Sequence, residues 1–235
     1  MLPVAEPSRG LAQLASVSMP GAQPKPASYF QGARSEMLEF VPRGAARVLE
    51  VGCGAGRFGA EVKRQLSAEV WGIELEPDIA RQAATRLDEV RVGDAREEIQ
   101  RLPSAHFDCV VMNDVLEHVV DPCSVIHDVR RTLTPNGVIV CSIPNVRYWR
   151  VLAGLLFDKD WRYATAGVLD ATHLRFFTER SIRRMLHELD YEILELRGIN
   201  ETRKRKVRLL RRLSFGWLSD IVYLEHACIA RPRPV

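Results

Sequence analysis

A short apolar run, Arg47 to Val51, passes directly into Gly52-Cys53-Gly54-Ala55-Gly56, and a helical pattern follows at once. The run is brief and rich in branched side chains, as a buried strand requires. Phe58, Val62 and Leu66 then recur at helical spacing and share one face. Strand, glycine turn and helix, in that order, is a layout for holding a nucleotide. The glycines let the main chain turn tightly and let a ligand lie against bare backbone. The helix N-terminus adds unpaired N–H groups and the positive end of its dipole.

The glycine spacing narrows the reading. A dinucleotide site calls for G-x-G-x-x-G. Here it is G-x-G-x-G, and Arg57 stands where the last dinucleotide glycine falls. Glu50 precedes the turn. Glu50, Gly52, Gly54 and Gly56 together resemble the first motif of class I S-adenosylmethionine-dependent methyltransferases, acidic-x-G-x-G-x-G. An ordinary tight turn looks the same in isolation, so two later motifs matter. Glu69 to Glu74 (EVWGIE) reads as a second strand, with Glu74 at its end and Leu75 beside it. An acidic residue about 20 positions past the glycines is placed to accept hydrogen bonds from a ribose diol. Glu89 to Val92 reads as a third strand, closed by Gly93-Asp94-Ala95. In the family resembled, an Asp here holds the adenine amine, and the N–H of the next residue, Ala95, reaches the ring. Capping the following helix is compatible with that role. The resemblance puts Asn113, at the end of a fourth strand, near the reacting methyl. The implied cofactor is S-adenosyl-L-methionine, held by Glu50, Gly52, Cys53, Gly54, Gly56, Glu74, Leu75, Asp94, Ala95 and Asn113.

The rest of the chain continues the alternation. Pro77 opens a helix with Ala80, Ala83, Ala84 and Leu87 inside. Phe107 to Met112 is the fourth strand. Asp121-Pro122 starts a helix, Thr134 to Gly137 is a turn, and Val138 to Ile143 is the fifth strand. Strand and helix in alternation mean a parallel sheet. Thr178 caps a helix carrying Ile182, Met185, Leu186 and Leu189, Tyr191 to Leu196 is a sixth strand, and Ile221 to Ala230 a seventh. The expected fold is α/β: a seven-stranded, mostly parallel sheet with helices on both faces and the last strand antiparallel beside the sixth. Residues 1–26 are proline-rich and aperiodic and read as a flexible tail; 27–235 form the domain. Within it, a helix from Ser28 to Val41 precedes the first strand, with Tyr29 placed to touch the ligand or simply to pack. Two insertions interrupt the pattern. Residues 145–172 carry Tyr148, Trp149, Phe157, Trp161 and Tyr163, and read either as a substrate lid or as a satellite core. Residues 200–220 include seven Lys or Arg among the ten from Arg203 to Arg212.

Bulk numbers bound the remaining possibilities. The 235 residues suit one sizeable core. A net charge of +3 is too small to imply a nucleic-acid partner. The five cysteines are scattered with no C-x-x-C, so neither a disulfide framework nor a zinc cluster is expected, and a reducing cytoplasm is the default compartment. No apolar run approaches a membrane span, and Leu11 to Met19 is too polar for a signal peptide. The basic stretch 203–212 has three readings: a solvated helix face, a patch for the inner membrane surface or an anionic substrate, or a phosphate-binding surface. Poor aromatic interleaving weighs against nucleic acid.

The acceptor side rests on Asp114, Glu117 and His118, spaced i, i+3 and i+4, which share a face if the turn is helical. The sequence DVLEHVVDP is similar to ubiquinone-pathway O-methyltransferases and to small-RNA 2′-O-methyltransferases. Some of those hold a divalent cation with an acidic-x-x-Glu-His set and a later His, which here is His173. The resemblance thus implies a metal set of Asp114, Glu117, His118 and His173, with magnesium as the ion, or a metal-free site in which His173, His118 and Glu117 are catalytic. Asp114 stands where those enzymes carry Glu, and its shorter reach bears against the metal. The HLRFFT segment is similar to methyltransferases of bacterial polysaccharide contexts. A small-molecule, glycan or quinone-type hydroxyl is the expected acceptor. Two other readings stay open: an NAD(P)-dependent oxidoreductase, opposed by Arg57 and Gly93-Asp94-Ala95, and a non-catalytic binding module of the same fold, opposed by the complete Glu-His and His173 positions.

Overall fold

The computed structural model describes residues 32–234. The proline-rich stretch, Tyr29 and Phe30 lie outside the described residues. Seven strands form one sheet: β1 (Arg47–Val51), β2 (Glu69–Glu74), β3 (Glu89–Val92), β4 (Phe107–Asn113), β5 (Leu133–Pro144), β6 (Tyr191–Glu201) and β7 (Tyr223–Pro232). The order across the sheet is β3-β2-β1-β4-β5-β7-β6. The first five strands run parallel, and β7 is antiparallel to both its neighbours. The sixth and seventh strands are therefore adjacent as expected, with β7 inserted between β5 and β6.

The helices are α1 (Arg57–Leu66), α2 (Pro77–Ala83), α3 (Ala95–Arg101), α4 (Pro122–Arg130), α5 (Trp149–Ala153), α6 (Glu179–Glu188) and α7 (Arg205–Leu213). Both faces of the sheet are covered. Leu49, Val51, Val110 and Met112 point into one core with Ile99 of α3, Ile126 of α4 and Ile182 of α6. Val48, Val70, Cys109 and Val111 point into the other with Phe58 and Val62 of α1. Burial on both faces is why these strands read as continuous apolar runs.

Several boundaries differ from the sequence reading. Residues 35–40 form a 3-10 helix, Ser35–Phe40, seating Met37 and Phe40 in the second core. The strand reading of β5 begins at Leu133: Phe107 pairs with Leu133 and Cys109 with Val138, so the Thr134–Gly137 turn bulges out inside the strand. β6 runs on to Glu201 because its second half pairs with β7. Gly198 allows this, since a Cβ there would meet the Tyr223 ring at 2.1 Å. Ala84 falls outside α2 and is exposed.

Candidate functional site

The sheet reverses its winding between β1 and β4, and α/β sheets bind ligands at such a point, outside the carboxyl ends of the strands. A cavity of about 840 Å³ opens there. Gly52, Gly54 and Gly56 all have positive φ (69°, 52° and 74°), a conformation side chains resist, and they fold the turn that forms its floor. Gly59 comes close enough for its N–H to donate to Glu50 Oε2 at 3.0 Å. Burial, with the charge of Glu74 adding to it, pushes the Glu50 carboxyl up to about 8 against that hydrogen bond.

Glu74 is buried and fastened by backbone. Gly54 N–H donates to Oε2 at 2.8 Å and Glu76 N–H donates to Oε1 at 3.0 Å. The second strand's end is thereby locked to the glycine turn. Asp94 caps α3, with Oδ1 accepting from the N–H groups of Arg96 and Glu97 at 2.9 and 3.3 Å. Both acids line the cavity, as do Glu50, Cys53, Ala95 and Asn113. Leu75 and Val120 are exposed apolar side chains on the same wall. Asn113 stands out: its side-chain nitrogen and oxygen are buried with no hydrogen-bond partner. Buried amides are normally satisfied, so an orphan facing a cavity points to a missing ligand.

The segment after β4 departs from the helical expectation. Residues 114–120 form a turn in which His118 N–H donates to the Val115 carbonyl at 2.9 Å, and Asp114 has φ 53°. That geometry separates Asp114 from Glu117 and His118, and corrects its place in a metal set. Asp114 turns instead to Arg34, whose Nη1 lies 2.6 Å from its Oδ2. Arg34 also reaches Glu225 Oε2 at 2.7 Å and donates to Ser142 Oγ at 2.9 Å. Burial alone would lower the Arg34 pKa, but Asp114 and Glu225 outweigh it and hold the guanidinium charged. Burial and the Glu225 charge push the Asp114 carboxyl up to about 7.

Glu117, His118 and His173 do converge, with one ligand-capable atom from each within 4.8 Å of the others. His118 lines the cavity, whereas His173 is buried behind it with ring centroids 4.7 Å apart. The Glu117 carboxylate lies 3.9 Å from His173 Nε2, and neither of its oxygens is hydrogen-bonded. Burial, followed by the charge of Asp114, raises its pKa well above the usual range. His118 Nδ1 is 3.2 Å from the Thr172 carbonyl, and His173 Nδ1 is 2.9 Å from the Val168 carbonyl. The Thr172 hydroxyl is also 3.2 Å from His118 Nδ1 but donates its proton to Asp170 Oδ1 at 2.8 Å; with only acceptors left, each ring carries its proton on Nδ1.

The first insertion is stitched to this turn. Leu174 and Arg175 N–H groups donate to the Glu117 carbonyl at 2.7 and 3.0 Å. Of residues 145–172, only Thr172 lines the cavity among the described residues. The insertion's Trp161 packs edge-on against Phe176 and Tyr163 lies tilted to it, at 5.1 and 6.4 Å between centroids, as in a satellite cluster. Arg34, Ser142 and Glu225 were not singled out from the sequence. The one local signal is a polar residue inside an apolar strand, as at Ser142.

A family model for a methyltransferase domain matches residues 26–196. The chain is 29% identical over 203 residues to the ubiquinone biosynthesis O-methyltransferase of Hahella chejuensis, covering 81% of each. It is 34% identical over 112 residues to the like-named protein of Xylella fastidiosa, covering 45% of this chain and 44% of that one, so this match spans less than half the relative's length. A methyltransferase structure from Archaeoglobus fulgidus, described as S-adenosylmethionine-dependent, superposes with a TM-score of 0.65 at 20% identity, covering 86% of this chain and 96% of that one.

Proposed function

This chain belongs to the methyltransferase domain family and has the fold of the class I S-adenosylmethionine-dependent enzymes; from that premise we propose that it methylates a hydroxyl oxygen on a small acceptor, a sugar or a quinone-type ring. The observation that carries the reading is the orphaned Asn113 amide in a cavity walled by the glycine turn, Glu74 and Asp94. The relatives' names add the quinone-type phenol to the candidates.

S-adenosylmethionine, when bound, supplies an electrophilic methyl on sulfur; alignment and proton removal fall to the chain. Each Glu74 oxygen gives one lone pair to backbone, which fixes the carboxylate plane for a diol. Asp94 uses Oδ1 for its cap and has Oδ2 for an exocyclic amine. Leu75 and Val120 offer apolar faces to a flat base. The orphaned amide of Asn113 takes polar atoms near the centre of the cavity. His118 is the proton acceptor: the Thr172 carbonyl fixes its tautomer, and Nε2 carries the basic lone pair. His173, which the sequence reading put first, lies behind His118 and positions it.

A second reading is favoured by the Glu117–His118–His173 convergence. Each imidazole anchored through Nδ1 to a carbonyl presents Nε2, the usual support of a metal ligand. Two imidazoles and a carboxylate suit zinc or manganese better than magnesium. Such an ion would be held by these three residues and would polarise the acceptor hydroxyl.

Calorimetric titration with S-adenosylhomocysteine tests the cofactor assignment. Wild type should bind at micromolar concentration, and Glu74→Ala and Asp94→Ala should each weaken binding at least tenfold. Absence of binding, or indifference to both changes, sinks the assignment; binding of reduced nicotinamide instead transfers the pocket to the oxidoreductase reading. For the metal, methyl transfer after chelation and add-back of zinc, manganese or magnesium decides: activity untouched by chelation leaves His118 as a metal-free base.

A further inference from the structure

The basic stretch between β6 and β7 folds as α7, and its orientation is the reverse of an ordinary surface helix. Two of its arginines, Arg208 and Arg211, rather than its leucines, turn toward the protein. Arg208 Nε lies 3.0 Å from Glu201 Oε1, and Arg211 Nη1 donates to the Tyr223 hydroxyl at 3.2 Å. No residue of α7 is buried. Leu209, Leu210 and Leu213 face solvent, the last with 65% of its surface exposed. The chain beyond the helix continues the pattern: Phe215 is fully exposed and Trp217 is 84% exposed. Arg203, Lys206 and Arg212, also exposed, surround these apolar groups with positive charge. A helix face of this kind loses hydrophobic burial unless something covers it.

The insert is held in place at its base. Lys204 Nζ sits 4.7 Å from the Trp149 ring centroid, Arg147 Nε lies 2.7 Å from Asp220 Oδ2, and Arg147 Nη2 donates to the Trp217 carbonyl at 3.1 Å. The outward leucines are thus a fixed presentation. The anchor partner, residues 145–172, itself exposes Leu156 and Phe157 next to Lys159.

We infer that α7 and the following turn, residues 203–218, are a docking surface for a bilayer containing anionic lipid. Leucine, phenylalanine and tryptophan enter the boundary between headgroups and acyl chains, and the flanking Lys and Arg meet the headgroup charge. Tryptophan favours that interface. A nucleic-acid surface needs outward cations but no outward leucines, whereas here Leu209, Leu210 and Leu213 are exposed among the cations. The sheet register also orients the patch. Pro144 of β5 pairs with Glu225 and Glu201 of β6 pairs with Tyr223, so β5 and β6 end at the same edge. α7 leaves from that edge, which is also the edge bearing the cavity. The inference stands independently of the acceptor proposed above.

Co-sedimentation with vesicles of phosphatidylcholine, with and without phosphatidylglycerol, tests it. The full chain should partition at least tenfold more to the anionic vesicles, and Trp217 emission should shift to the blue. Leu209→Ser with Leu210→Ser and Leu213→Ser should abolish both signals, and Arg203→Gln with Lys206→Gln and Arg212→Gln should reduce binding at least tenfold. S-adenosylhomocysteine affinity and circular dichroism, unchanged in both variants, show that the fold survives. Failure to bind anionic vesicles overturns the inference, as does binding indifferent to the leucine changes. Leucine-dependent self-association without vesicle binding, or retention on single-stranded RNA in its place, also overturns it by assigning the surface to another occupant.

Discussion

The cavity and α7 treat charge in opposite ways. At the cavity four carboxylates have fixed local duties. Glu50 accepts from Gly59, Glu74 from Gly54 and Glu76, Asp94 from the first turn of α3, and Asp114 is paired with Arg34. On α7, two arginines hold the helix to Glu201 and Tyr223 while the other basic side chains accompany exposed leucines. Charge that serves the backbone is structural, and its cost of burial is offset within the fold. Charge that accompanies solvent-facing leucines does nothing for the folded chain alone.

That contrast can be broken most directly at Arg34. Arg34→Met leaves Asp114 and Glu225 together without their cation. We expect a loss of about 3–5 kcal/mol in urea unfolding. The loss should be smaller at pH 5 than at pH 8. Without Arg34, the Asp114 carboxyl rises further above its unfolded value, so the folded state binds the proton more tightly and stability falls as pH rises. A pH-independent loss would mean that Asp114 does not carry the charge conflict.

His118→Ala should lower kcat about 100-fold or more while leaving S-adenosylhomocysteine affinity within twofold. His173→Ala should cost less and shift the pH profile, as a positioning residue does. Equal losses, with lost cofactor affinity, would place both in structural packing.

Glu50→Gln sharpens the comparison. The folded pKa, about 8, lies above the unfolded carboxylate value, so ionising Glu50 costs stability as pH rises between the two. Gln has no charge to desolvate and still accepts from Gly59. Its advantage over wild type should be absent near pH 4 and grow to the order of a few kcal/mol at pH 8. A melting-temperature difference that stays flat across this range refutes the buried-acid account.

The smallest effect belongs to α7. Arg208→Gln with Arg211→Gln should change stability by about 1 kcal/mol or less, because these pairs are partly solvated. A cost several times larger would make α7 part of the fold's own framework and remove the contrast.

Most of the cavity could be read from the sequence because its determinants are local. Three glycines with positive φ, an acid at the end of β2 and a cap at Asp94 are each read from neighbours within a few positions. The strands were legible because burial on both faces leaves them almost wholly apolar. What escaped depends on distant partners. Asp114 looked like a ligand beside Glu117, but an arginine 80 positions earlier claims it. His118 and His173 both looked catalytic at the acceptor end, but of the two only His118 lines the cavity. The basic stretch 203–212 was visible, with a helix face as one of its readings; which side faces inward was set by Glu201 and Tyr223. The aromatics of 145–172 suggested a lid, and only the packing on Phe176 shows where Trp161 and Tyr163 go.

The Arg34–Glu225 pair spans 191 residues of chain. During synthesis the chain emerges in order, at roughly 5–20 residues per second. The glycine turn, Glu74, Asp94 and Asp114 are therefore all made well before β7 appears. Until it does, Arg34 lacks one of its three acidic partners and β5 is an open edge. The charge arrangement around Arg34 is completed only once β7 has been translated, so a chain that stalls before it carries the ligand-facing residues without that arrangement.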